Sequence, residues 1–275
     1  MKYFEILGLK KEPFSMAPDP EFFYYSGIHN QCLERLEISL RMNRGLNVVV
    51  GGIGTGKTTL SRLLIGRFVE FGKNYKFFLI LDPTWKDTHE FLYYLSNLFG
   101  IKQESDLQVD MMDKIEHYLI DVATKENKHI VLMIDEGQKM GSSQLEIVRT
   151  LLNFETNNSK LIQVIIFAQP EFTEILEKHE NFRDRVSFGY TLRPLSEEET
   201  IKLINHRLKV AGLKTKQNIF TEGAMKIIFE RSKGYPRKAV SLCHQLIVDG
   251  ILAGKESIEA EDVFNRTKEG NPFSV

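Results

Sequence analysis

Apolar positions follow two alternating rhythms up to about residue 194 and a single one after it. Short, β-branched apolar runs occur at Leu46–Val50, Tyr75–Leu81, Ile130–Ile134, Ile162–Ala168 and near Ser187–Leu192, and each reads as a strand. Tyr75–Leu81 is continuous and ends in Asp82-Pro83, the look of a buried parallel strand. Between them lie helical patterns: His29 to about Met42; a stretch with Leu60, Leu63, Leu64 and Phe68 on one face, closed by Gly72; and segments near His89–Phe99, Met111–Lys125 and Ser143–Phe154. Strands alternating with helices predict an α/β fold, a parallel five-stranded sheet covered on both faces with its ligand at the carboxyl ends of the strands. That puts Gly51, Asp135 and Gln169 on one rim. Beyond Pro194 only helical patterns remain, near Glu197–Ala211, Thr221–Ser232, Arg237–Ala253 and Ala260–Lys268, so residues 1–194 read as the core and 195–275 as a helical lid.

The run Gly51, Gly52, Ile53, Gly54, Thr55, Gly56, Lys57, Thr58, Thr59 fits G-x-x-x-x-G-K-[ST] between the first strand and its helix. Glycines let the backbone take positive φ and approach phosphate oxygens, and the loop N–H groups and helix N-terminus point at a triphosphate. Lys57 would set an ammonium against the β and γ phosphates, and Thr58 would put its hydroxyl on Mg²⁺. A dinucleotide fingerprint is excluded because Lys57 stands where its third glycine belongs.

After IVLMI come Asp135 and Glu136: Asp135 would hold Mg²⁺ directly or through water, and Glu136 would polarise the attacking water. Gln169, following VIIFA, either contacts the γ-phosphate or the water, or is a loop hydrogen-bonder. Arg183 and Arg185 are candidates for an arginine finger reaching a neighbouring subunit's nucleotide; the alternative is a surface ion pair with Asp184. In Gly234-Tyr235-Pro236-Arg237 the proline suits a first helical turn and Arg237 is placed to swing onto nucleotide. Ahead of the core, Phe22, Phe23, Tyr24 and Tyr25 either line an adenine pocket or cover the sheet edge. A metabolite kinase using the same loop needs neither a water-directing Glu136 nor a helical lid.

With 36 basic and 37 acidic residues in 275, charge gives no global pull toward nucleic acid or an anionic membrane. Cys32 and Cys243 lie far apart and read as reduced thiols of a cytoplasmic protein, with a single distant disulfide the alternative. The seven histidines, His29 among them, show no zinc-ligand spacing with a third partner. No run approaches the ~18 apolar residues of a membrane helix, and the charged N-terminus makes a poor signal peptide. No integral membrane segment is expected.

These residues together resemble the AAA+ ATPases, and specifically the ExeA-type family, the general secretion pathway A proteins. The resembling segments are EPFSMAPDPEFFYYSGIHNQCLERL, GGIGTGKTTL, VLMIDEGQKM, LLNFETNNSKLIQVIIFAQPEF, RDRVSFGYTLRPLSEEET, INHRLKVAGL and GYPRKAVSL. The resemblance implies a P-loop NTPase αβα sandwich with a helical lid, ATP and Mg²⁺ at the junction of core and lid, and self-association into ring-like or transient homo-oligomers. It supports the same roles for Lys57, Thr58, Asp135 and Glu136, a sensor role for Gln169, a finger role for Arg183 or Arg185, and a lid sensor role for Arg237. Gly137 stands where alanine is more usual, a change with little mechanistic weight. Secretion-type members often continue into a membrane helix and a peptidoglycan-binding part. Short relatives are associated with pilus or exopolysaccharide-export loci, and similar modules serve DNA transposition. Two readings follow: a cytoplasmic ATPase with a protein partner in an envelope assembly, or a regulator acting on duplex DNA. For the second, Lys226, Arg231, Lys233, Arg237 and Lys238 lie within a short span; the neutral overall charge counts against it.

Overall fold

The computed structural model describes residues 3–17, 19–70, 74–102, 107–156, 160–214 and 218–268. Gly72, the expected helix stop, lies outside them. By packing, the chain sorts into two compact units, neither continuous in sequence: Gln31–Gly52 with Leu60–Leu192, and residues up to Asn30 with Ile53–Thr59 and the chain from Arg193 onward. The sequence reading cuts the chain once, after residue 194.

In the first unit five strands run as expected: β1 (Leu46–Gly51), β2 (Tyr75–Ile80), β3 (His129–Ile134), β4 (Ile162–Ala168) and β5 (Val186–Leu192), in the order β2-β3-β4-β1-β5 with every pairing parallel. Alternation of side chains sends Ile130, Leu132, Ile134, Val164 and Ile166 into one buried cluster with helices α3 (Thr88–Phe99), α4 (Gln108–Thr124) and α5 (Ser142–Leu151). The opposite face meets α1 (Gly27–Arg41) and α2 (Lys57–Glu70): Gln163 donates to the Leu40 carbonyl at 3.0 Å, the Ser39 hydroxyl donates to Asn47, and Phe68 lies edge-on to Tyr75 at 4.6 Å. Both polar side chains are buried; Asn47 is paired, whereas of Gln163 only the Nε2 is, its buried Oε1 having no hydrogen-bond partner. The parallel sheet covered on both faces is therefore present. One expectation is corrected: β2 is an edge strand, and five of its six residues are only half-buried. Its continuous apolar run instead serves the aromatic contacts of Tyr75 and Phe77 with Phe68 on one face and of Phe78 with Phe99 on the other. Two short helices follow β4, α6 (Phe172–Lys178) and α7 (Glu180–Arg183), which the apolar pattern did not mark.

The second unit is helical: α8 (Glu197–Val210), α9 (Glu222–Ser232), α10 (Pro236–Leu252) and α11 (Ala260–Arg266). Its boundaries follow from local chemistry. Ser196 and Glu199 form a reciprocal cap on α8, Thr221 caps α9, and Pro236 occupies the first turn of α10. Gly234, with φ of 72°, allows the chain to pass Leu195, whose carbonyl oxygen would lie 2.0 Å from a Cβ at that position. The aromatic lead belongs to this unit's core, with Phe4, Phe14 and Phe22 buried among Leu203, Phe220 and Leu246. Phe22 lies under the Arg207 guanidinium at 5.5 Å, a packing role that neither sequence alternative named. Both cysteines are free and buried, and burial pushes the Cys32 thiol up to about 12. The described helices include none long and apolar enough to cross a membrane.

Candidate functional site

β1 delivers the chain into the glycine loop and α2 takes over at Lys57. Gly54 and Gly56 have φ of 81° and 100°, in the left-handed region that glycine adopts without strain. Neither has room for a side chain: a Cβ would sit 2.8 Å from Arg237 Cβ at Gly54, and 3.0 Å from His29 Nε2 at Gly56. Thr55 and Lys57 are buried, while Ile53 is exposed.

Two consecutive loop carbonyls have fixed donors. The Gly54 carbonyl accepts from the Arg237 backbone N–H at 3.2 Å, and the Thr55 carbonyl accepts from His29 Nε2 at 2.8 Å. A carbonyl only accepts, so Nε2 carries the proton, and in a neutral ring Nδ1 then accepts the Ser26 hydroxyl at 2.7 Å. Burial lowers the His29 pKa, against smaller upward pulls from the Thr55 carbonyl and Glu199, so the ring is neutral at pH 7. His29 was one of seven scattered histidines in sequence, and no spacing marked it. Arg237 meets the loop through its backbone and Cβ, near the open N-terminus of α10, and is itself exposed.

The acidic pair stands at the carboxyl end of β3. Asp135 is buried, and its Oδ1 accepts the Glu136 N–H at 2.9 Å. Glu136 has φ of 54° and ψ of 36°, a left-handed conformation uncommon outside glycine and asparagine and found at sites where the surroundings impose it. Its Oε2 accepts from Gln138 Nε2 at 2.5 Å and from Gln169 Nε2 at 3.1 Å. Gln138 Oε1 in turn accepts the Gln169 backbone N–H at 2.9 Å, closing a ring of three residues. The structure thus brings Gln169 to Glu136, and adds Gln138, which the sequence reading passed over. Gly137 gains a packing reason: a Cβ there would stand 2.3 Å from Ile166 Cγ2.

Arg183 and Arg185 are exposed, at the end of α7 and just ahead of β5. Arg183 lies 3.8 Å from Glu180 and 3.9 Å from Asp184, contacts of the kind that contribute little at a surface. Thr58 carries a hydroxyl and Asp135 a buried carboxylate, each a hard oxygen of the kind Mg²⁺ prefers. Among the described residues no three His, Cys, Asp or Glu side chains form a metal cage.

Residues 40–176 match the AAA domain family. The chain is 29% identical over 265 residues to general secretion pathway protein A of Aeromonas hydrophila, covering 95% of this chain and 47% of that protein. It spans about half the length of the curated relatives it matches. Among solved structures, Cdc6p from Pyrobaculum aerophilum superposes with a TM-score of 0.71 at 16% identity, over 94% of this chain and 70% of that one. The Aeropyrum pernix Orc1 protein in complex with DNA gives 0.67 at 15%, over 93% and 68%. At such identities the likeness is one of fold.

Proposed function

We propose that this chain, whose residues 40–176 match the AAA domain family and whose fold is that of AAA+ P-loop NTPases, hydrolyses ATP with Mg²⁺ and uses the cycle to assist assembly of an envelope secretion, pilus or export apparatus from the cytoplasmic side. The observation that carries the reading is the loop after β1, with Gly54 and Gly56 left-handed and the Gly54 and Thr55 carbonyls tied back. Lys57 binds the β and γ phosphates, and Gly51 through Thr59 cradle them. Bound with the nucleotide, Mg²⁺ supplies positive charge against the phosphates; Thr58 and Asp135 are the residues that would hold it. Glu136 orients and polarises water, Gln169 positions Glu136, and Arg237, in the helical region 195–275 that follows the core 1–194, senses nucleotide.

Arg183 or Arg185 completes the site of a neighbouring copy in a ring or transient homo-oligomer. The finger is the variant that binds ATP normally and hydrolyses it slowly, a defect rescued by mixing with a Lys57→Ala chain; no rescue rejects catalysis across subunits. Similarity to general secretion pathway protein A over 95% of this chain supports the envelope assignment. A second reading, a regulator on duplex DNA, is favoured by the likeness to an Orc1 structure in complex with DNA. Turnover measured against protein concentration, with and without duplex DNA at low salt, separates the two. A steep rise with concentration that ignores DNA supports the envelope ATPase, and strong DNA stimulation moves the assignment to the regulator. No turnover under either condition rejects both.

A further inference from the structure

A peptide plane is rigid and trans, so fixing where a carbonyl points also fixes the following N–H, which points the opposite way. The Gly54 carbonyl is held by the Arg237 backbone, and the Thr55 carbonyl by His29. The orientations of the next two amides, on Thr55 and Gly56, are thereby set before any ligand arrives. Each plane has a glycine at one end, Gly54 for the first and Gly56 for the second, so Cβ contacts alone do not lock the Thr55–Gly56 plane. That plane is the one the imidazole holds.

We propose that His29 is a positioning residue for polyphosphate binding, holding the Thr55–Gly56 peptide so that its N–H faces the anion. The inference rests on the nucleotide reading of the loop. Each surrounding feature serves the hold. Ser26, just ahead of α1, donates to Nδ1 and so selects the ring form with its proton on Nε2. Phe23 stands edge-on to the imidazole at 5.2 Å and is itself edge-on to Tyr25 at 5.0 Å, which keeps the ring from turning away. The imidazole is buried, and Thr55 is 1% exposed, so water does not readily replace the bond. Without the donor the buried Thr55 carbonyl loses this bond, and the plane is free to turn and carry the Gly56 N–H off the phosphate.

The test uses the full chain and a fluorescent N-methylanthraniloyl-ADP probe, with ADP and adenosine as competitors. His29→Phe keeps a ring and loses the donor, and ADP affinity falls about tenfold or more. His29→Gln restores an N–H near the Nε2 position and recovers most of the loss. Adenosine competition stays unchanged in both, since the defect is confined to phosphate. Wild-type ADP affinity in His29→Phe, or an equal loss in His29→Gln, overturns the proposal. If His29→Phe does not fold, Ser26→Ala carries the test: reduced ADP affinity with adenosine binding kept supports it, and unchanged ADP affinity overturns it. If the wild type fails to bind ADP, or Lys57→Ala binds it equally well, the nucleotide reading is what fails. Hydrogen exchange of residues 51–59 in the ligand-free protein then judges His29 alone: faster exchange in His29→Phe upholds its hold on the loop, and unchanged exchange rejects it.

Discussion

In the phosphate loop, Gly54, Thr55 and Gly56 are fixed by left-handed glycine backbone, by an amide of α10 and by an imidazole buried beside them. At the end of β3, the Glu136 backbone is fixed by its left-handed turn and its bond to Asp135, but its carboxylate is held by the side-chain amides of Gln138 and Gln169. The loop's shape is a property of its backbone, so it is set whether or not a ligand is present. The carboxylate's position depends on rotatable side chains, so it can change without any strand moving. An anion site gains from being preorganised, whereas a group that must release its product and reset gains from being movable.

The sharpest way to break this contrast is to remove one working group from each region. Glu136→Gln should slow ATP turnover by about 10² to 10⁴-fold with nucleotide affinity intact, read by steady-state phosphate release beside a binding titration. Lys57→Ala should weaken ATP binding about 10- to 100-fold through loss of charge-assisted bonds. Equal binding losses in both variants would sink the division of labour.

A smaller effect tests whether the acidic end is anchored by packing. Gly137→Ala forces a methyl against Ile166 and should cost about 1–3 kcal/mol in denaturant unfolding. Leucine at 166 lacks the β-branch, so Gly137→Ala combined with Ile166→Leu should be less damaging than the sum of the two. Strict additivity would show that Ile166 is not the obstacle.

The smallest effect concerns acid. Burial lowers the His29 pKa below 6.5, so the unfolded chain takes up that proton before the folded one does. The neutral ring's contribution is complete above about pH 6.5 and is lost as pH falls through the folded value. Urea midpoints should therefore drop on going from pH 7.5 to pH 5.5, less steeply in His29→Gln. An unchanged slope would mean that other groups, the half-buried His206 first among them, carry the acid response.

Much of this architecture was legible in the chain. The runs at Leu46, Ile130 and Ile162 were read as strands because short β-branched stretches between helical patterns have few other uses, and their parallel order followed from the alternation. Gly54 and Gly56 were read as loop residues because phosphate approach demands backbone without Cβ. The edge position of β2 was not legible: apart from Lys76 the run is as apolar as a central strand, and strand order is a long-range property. Nor were His29 and Gln138. A lone histidine in a helical first turn and a glutamine after an acidic pair carry no periodic signal, and their partners Thr55 and Gln169 lie well apart from them in sequence.

By itself, then, the sequence determined what depends on neighbours along the chain: strand and helix identity, the phosphate-loop glycines, the Asp135–Glu136 pair, and caps such as Ser196 and Pro236. Tertiary structure alone decided what depends on packing between distant segments. It set the place of β2, the burial of Phe22 among the helices that follow residue 196, the exclusion of a Cβ at Gly137 by Ile166, and the donors that hold Thr55 and Glu136. The reason is that propensity and periodicity act within a few residues, whereas a hydrogen-bond partner is chosen by whichever side chain the fold brings within about 3 Å.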